Sequence, residues 1–133
     1  MMTANGTQGD DDTGRRIRPL LRRFQSGMEE IQACAAISGD GLPLASVLDE
    51  GVDPDRFGAM CASLLALATQ AANEVSRGNL RQLLIGGSEG SMLLVQAGSG
   101  GVLAVATSPA ANLGRVFLET RKAATELAAI IGD

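Results

Sequence analysis

Between Arg56 and Glu74 the chain carries no charged side chain, through the run FGAMCASLLALATQAAN from Phe57 to Asn73. Asp53-Pro54-Asp55 precedes the run and Gly78-Asn79 follows it. A capping carboxylate accepts a backbone amide, proline suits the first helical position, and acid favours the positive helix end. Gly and Asn take cheaply the left-handed conformation that closes a helix. The expected helix therefore runs from Asp53 to about Arg77. At about 100° per residue, Phe57, Met60, Cys61, Leu64, Leu65, Ala68, Ala71, Ala72 and Val75 form one wide apolar face suited to covering a sheet. The opposite side holds Ala59, Ala62, Ser63, Ala66, Leu67, Thr69 and Gln70, where a solvent-facing helix normally shows Glu, Lys or Arg. Small side chains let a second helix approach closely; alanine is also simply the best helix former. A membrane span fails on length and on Gly58, Ser63, Thr69, Gln70 and Asn73, since a span needs ~20 predominantly apolar residues.

The segments around this helix read as strands and two further helices. Ile31 to Ser38 and Leu42 to Leu48 are short apolar runs separated by Gly39-Asp40-Gly41, a hairpin signal because such residues accept positive φ. Pro43 lacks a backbone donor, which places the second strand at a sheet edge or bends it near its start. Leu80 to Ile85, Ser91 to Ala97 and Val102 to Thr107, separated by glycine-rich turns, form an antiparallel meander. Arg15 to Gln25 carries Ile17, Leu20, Leu21 and Phe24 at helical spacing, with Pro19 near its start. Leu113, Val116, Phe117, Thr120, Ala124, Leu127 and Ile131 fall on one stripe of a closing helix, with Ala123, Ala128 and Ile130 beside it. Residues 1–14 are small, polar and acidic, with too little apolar surface to offset the entropy of ordering them; a disordered tail is expected there and one domain over 15–133. The order helix, two strands, helix, three strands, helix packs as an α/β (α+β) five-stranded sheet with helices on its faces.

The chemistry that such a chain excludes is informative. Its 133 residues suit one domain. With no His, neither His-based acid/base catalysis nor the usual zinc constellations are available. The three Phe, without Trp or Tyr, provide no stacking platform for single-stranded nucleic acid, and a net charge of -4 draws the chain to neither nucleic acid nor anionic lipid. Cys34 and Cys61 sit in apolar runs without a base to activate them; buried, reduced thiols in a cytoplasmic protein are expected. The Gly86 to Ser91 segment lacks the lysine of a phosphate loop, and the Gly98 to Gly101 turn has Leu103 where a dinucleotide fingerprint needs glycine. Asp49, Glu50, Asp53 and Asp55 lack the ligand order of a calcium loop. No catalytic, cofactor-binding or metal-ligating residue is therefore assigned, and the chain is read as a non-enzyme that needs no cofactor.

What remains is surface. The Leu80 to Ile85 strand has no proline to stop another strand adding there, and a twofold dimer joining long helices and third strands would bury both features at once. The interface expected on the helix is Ser63, Ala66, Leu67, Gln70 and Glu74. Leu80, Gln82 and Leu84 continue it on the strand. Arg15, Arg16, Arg18, Arg22 and Arg23 place five of the eleven basic residues on the first helix, ordinarily a solvated face and alternatively a dock for an acidic surface or for the acidic tail at Asp10 to Asp12. Ala59, Ala62, Arg22 and Arg23 are the expected partner-docking residues.

The element order, the hairpin IQACAAISGDGLPLASVLDEG, the uncharged helix and the meander QLLIGGSEGSMLLVQAGSGGVLAVATSPAANLG together resemble the Roadblock/dynein light-chain family over Ile17 to Ile131, and within it the prokaryotic stand-alone, MglB-like members. The resemblance implies sheet order 2-1-5-4-3, a homodimer joined through third strands and long helices, and a Ras-like small GTPase as partner. It implies a GTPase-activating or effector role; the alternatives are an architectural adaptor in a signalling or motility complex, without effect on nucleotide turnover, and a small-molecule sensor. The arginine-rich helix and acidic tail map onto no motif of that family.

Overall fold

In the computed structural model the backbone is described for residues 2–132 and the side chains for residues 12–132. The elements follow the order α1 (Met2–Ser26), β1 (Ile31–Ser38), β2 (Pro43–Val47), α2 (Pro54–Glu74), β3 (Gln82–Gly87), β4 (Gly90–Ala97), β5 (Gly101–Thr107) and α3 (Leu113–Ile131). The strands form one sheet ordered β2-β1-β5-β4-β3, antiparallel at every joint. This is the architecture that the element order and the resemblance implied.

Alternation along the central strands divides the core between the two sheet faces. Cys34, Ala36, Leu93, Val95, Leu103 and Val105 pack with Ile17, Leu20 and Leu21 of α1 and with Val116, Ala123, Ala124 and Leu127 of α3. Ala35, Ile37, Leu94, Val102 and Ala104 face the other way, against Cys61 and Leu65 of α2. One face thus carries two helices and the other carries one. The largest fully buried side chains include Ile17, Leu21, Leu93, Leu94, Leu103 and Leu127, each worth ~1.5–3 kcal/mol for leaving water.

The cap expected at Asp53 forms, and α3 has a cap that the sequence reading did not name. Asp53 accepts from the Asp55 amide at 3.0 Å, with Pro54 opening α2. Asn112 accepts from the Arg115 amide at 3.1 Å and opens α3. In the β1–β2 turn Gly41 takes φ 93°, while the Ser38 hydroxyl oxygen accepts the Leu42 amide at 3.0 Å.

Several boundaries differ from the sequence expectation, each for a local reason. Helix α1 begins upstream of Arg15, so Pro19 lies inside it and the Arg15 carbonyl loses its in-helix partner. Of the segment expected as a tail, the side chains through residue 11 lie outside the described residues. Helix α2 ends at Glu74 rather than near Arg77, because Ser76 turns to φ 56° and the Arg77 amide folds back onto the Ala72 carbonyl at 2.8 Å. Strand β3 is correspondingly displaced, from 80–85 to Gln82–Gly87.

Candidate interaction surface

The side of α2 that meets the sheet is narrower than the nine-residue apolar face read from the sequence. Gly58, Cys61 and Leu65 are its buried residues, whereas Met60 is 54% exposed and Val75 58% exposed. Gly58 decides how the helix sits: a Cβ there would stand 2.5 Å from the Gly41 carbonyl oxygen, so the helix is seated on the β1–β2 turn through a contact only glycine permits. The same turn lies beside Ala59 and Ala62, whose Cα and Cβ would be 3.3 and 3.2 Å from a Cβ on Gly41.

That contact orients the rest of the helix. With Gly58, Ala59 and Ala62 flanking the turn at the β2 side, the helical angle of about 100° per residue turns Met60, Leu64, Leu67 and Ala71 toward the β3 side. On that flank Leu67 is 65% exposed and Met60 and Ala71 are exposed as well. Of the eight exposed large apolar side chains among the described residues, five (Met60, Leu67, Val75, Leu84 and Ile85) lie on or at the end of α2 or on β3. The apolar surface left uncovered is thus gathered on one side of the molecule.

Strand β3 pairs with β4 alone, and its far edge takes no strand among the described residues. Its register, Leu83 opposite Leu94 and Ile85 opposite Met92, puts Leu83 and Ile85 on the α2 face. Gln82 and Leu84, opposite Val95 and Leu93, point to the α1/α3 face. Leu84 is 42% exposed and Ile85 37% exposed, and the edge continues into exposed Gly86 and Gly87.

The residues expected at the dimer interface are placed as follows. Ser63, Ala66, Leu67, Gln70 and Glu74 are all exposed on the outer side of α2, while Leu80 and Gln82 are half-buried. Leu80 packs beside the α2-side core. Sequence reasoning missed Met60, which it assigned to the sheet-covering face, and Ile85, whose face depends on the register of β3. The expected docking set does not form one surface: Ala59 and Ala62 lie on α2, and Arg22 and Arg23 lie on α1 across the sheet. Arg23 is moreover paired with Glu126 of α3 at 2.6 Å.

Nothing in this surface is equipped for covalent chemistry. Burial pushes the Cys34 thiol up to about 12 and the Cys61 thiol up to about 11, on opposite faces of the sheet, which keeps both protonated and unreactive near neutrality. Among the described residues no helix is long and apolar enough to cross a membrane.

The Roadblock/LC7 domain model matches residues 19–107, from α1 through the end of β5. The chain belongs to the Roadblock/LC7 family. Two uncharacterized proteins of Methanocaldococcus jannaschii are each 35% identical to it over 102 residues, 77% of this chain and 89% of theirs. Its fold is also that of solved MglB structures: MglB of Myxococcus xanthus superposes with a TM-score of 0.80 at 20% identity, covering 87% of this chain and 94% of that one. A Roadblock/LC7 domain from Streptomyces avermitilis gives 0.78 at 21% identity, covering 86% and 96%. At such identities the likeness is one of fold.

Proposed function

We propose that this Roadblock/LC7 chain is a homodimeric, non-catalytic regulator of a Ras-like small GTPase, of activating or effector type, working in the cytoplasm. The observation that carries the reading is the pairing of two bare features, the exposed Met60, Leu67 and Ala71 of α2, on a helix without charge from Phe57 to Asn73, and the unpaired edge of β3. A twofold axis beside that edge joins two β3 strands into one continuous sheet and brings the α2 flanks together. Ser63, Ala66, Leu67, Gln70 and Glu74 then meet their counterparts, with Leu80, Gln82 and Leu84 at the strand joint and Met60 and Ile85 added to them. The paired helices present a bland outer surface, including Ala59, on which a GTPase docks. The likeness to MglB folds supports the choice of partner class. In this reading the domain occupies 15–133 and residues 1–14 are a tail whose last residue, Gly14, packs against β2.

The test is binding of the purified chain to a Ras-like GTPase encoded beside it, loaded in turn with a GTP analogue and with GDP. The expected result is at least about tenfold preference for the GTP form, a coupling of ~1.4 kcal/mol. Equal binding points instead to an adaptor, and no binding removes the GTPase from the account. Ala66→Glu is expected to abolish dimerisation, GTPase binding or both; a variant unchanged in both assays moves the site off α2.

A further inference from the structure

The arginines of α1 lie on the other side of the sheet and take no part in that reading. Helix α1 buries Ile17, Leu20 and Leu21, so the helical angle sends Arg15, Arg18 and Arg22 outward along one stripe at i, i+3 and i+7. Two of the five arginines are occupied: Arg15 pairs with Asp12 at 3.3 Å, and Arg23 reaches across to Glu126. Arg16, Arg18 and Arg22 have no ion pair among the described residues.

The stripe borders two shallow clefts that share Arg22. One, of about 320 Å³, is lined by Arg15, Arg18, Pro19 and Arg22. The other, of about 540 Å³, runs from Arg22 past Gln25 and Ser26 to Ile31 and Val47, with Glu29 at its rim. Basic side chains thus lead directly into an apolar recess where β1 begins and β2 ends. We infer that this strip, from Arg15 through Arg22 to the recess at Ile31 and Val47, docks an acidic protein segment that carries an apolar anchor residue.

The chemistry of the strip selects among anions. A nucleic acid would find no aromatic side chain lining either cleft for its bases. An anionic bilayer would find no apolar face on the described part of α1, residues 12–26, because that face is already in the core. Both are also extended polyanions that would meet the field of a chain whose net charge is -4. A short segment senses only charges within a Debye length, ~8 Å at physiological salt, and over that range the strip is positive. Carboxylates of the segment would pair with Arg18 and Arg22, its anchor would enter the recess, and Glu29 would exclude acids beyond the anchor.

The proposal is tested by fluorescence anisotropy of the full chain with a dye-labelled peptide repeating Glu-Glu-Leu. Binding is expected to weaken about tenfold in Arg18→Glu/Arg22→Glu, and several-fold when salt is raised from about 50 to about 300 mM. It should stay unchanged in Arg121→Glu, which reverses one charge on α3 where the double variant reverses two on α1. Arg18→Gln/Arg22→Gln, intermediate in affinity, carries the test if the reversed pair lowers stability. No binding by the unaltered chain, equal loss in Arg121→Glu, no loss in either double variant, or equally tight capture of a single-stranded oligonucleotide or phosphatidylserine vesicles each overturns it. Because the readout needs no GTPase and no dimer, the outcome is independent of the reading of α2 and β3.

Discussion

Strand β2 closes its edge of the sheet from within the chain, while β3 leaves the other edge open. At β2, Pro43 removes a backbone donor, and α1 passes so near that a Cβ on Gly14 would stand 2.8 Å from the Leu44 carbonyl. The turn that leads into it is clamped from the opposite face by Gly58 of α2. Strand β3 has no proline and exposes Leu84 and Ile85, and α2 leaves Met60 and Leu67 exposed as well. An edge strand with both faces in reach of apolar side chains is a template for another strand. The contrast teaches that the fold is finished on one side and calls for a second chain on the other.

The largest effect that would break this contrast is at Leu67. Leu67→Glu puts a charge into the flank beside β3, and dimer affinity measured by sedimentation equilibrium should fall about a hundredfold, ~2–4 kcal/mol as for a central interface residue. Leu42→Glu, at a comparably exposed leucine beside β2, should leave it unchanged. Equal effects at the two positions would erase the distinction between the edges.

A smaller effect is expected in stability. Gly58→Ala forces a methyl group against the Gly41 carbonyl and should cost ~1–3 kcal/mol, read as a lower thermal midpoint. Gly86→Ala meets nothing within 4 Å and should stay within ~0.5 kcal/mol of the parent. A neutral Gly58→Ala would mean that the turn is not clamped.

The mildest difference lies between the faces. Cys61 sits on the sheet-facing side of α2, the single helix on its face, and Cys34 on β1 under the face covered by two, so slow alkylation followed by mass spectrometry should label Cys61 first, through local opening of α2; Cys34 reacting first would reverse the assignment. Both thiols, raised from 9.0 to about 11 and about 12 by burial, also give stability a direction in pH. The unfolded chain releases these protons more readily, so their contribution is whole below pH ~9 and is lost as pH climbs through the raised values.

Element order and most boundaries were legible because periods of 2 and 3.6 alternate cleanly along this chain and glycines punctuate them. The stripe at Val116, Thr120, Ala124 and Leu127 is buried as its spacing implied, and Pro43 marked the closed edge. The parity of β3 was not legible: in the segment from Leu80 to Gly87 both faces are apolar, so nothing in the pattern says whether Leu84 or Ile85 shares a face with α2, and a one-residue slip exchanges them. Gly58 carried no hydrophobic signal, although it sets the seat of the helix and thereby frees Met60. Arg22 and Arg23 stand about 100° apart on α1, and only the position of α3, which brings Glu126 to Arg23, separates a paired arginine from a free one.

The measurement that reaches the centre of this account is the mass of the unaltered chain in solution at micromolar concentration, by sedimentation equilibrium. The account predicts twice the chain mass, reduced to the single-chain value by Leu67→Glu. A monomer at that concentration would contradict it, since the open edge of β3 and the bare flank of α2 would then be stable in water without a partner copy.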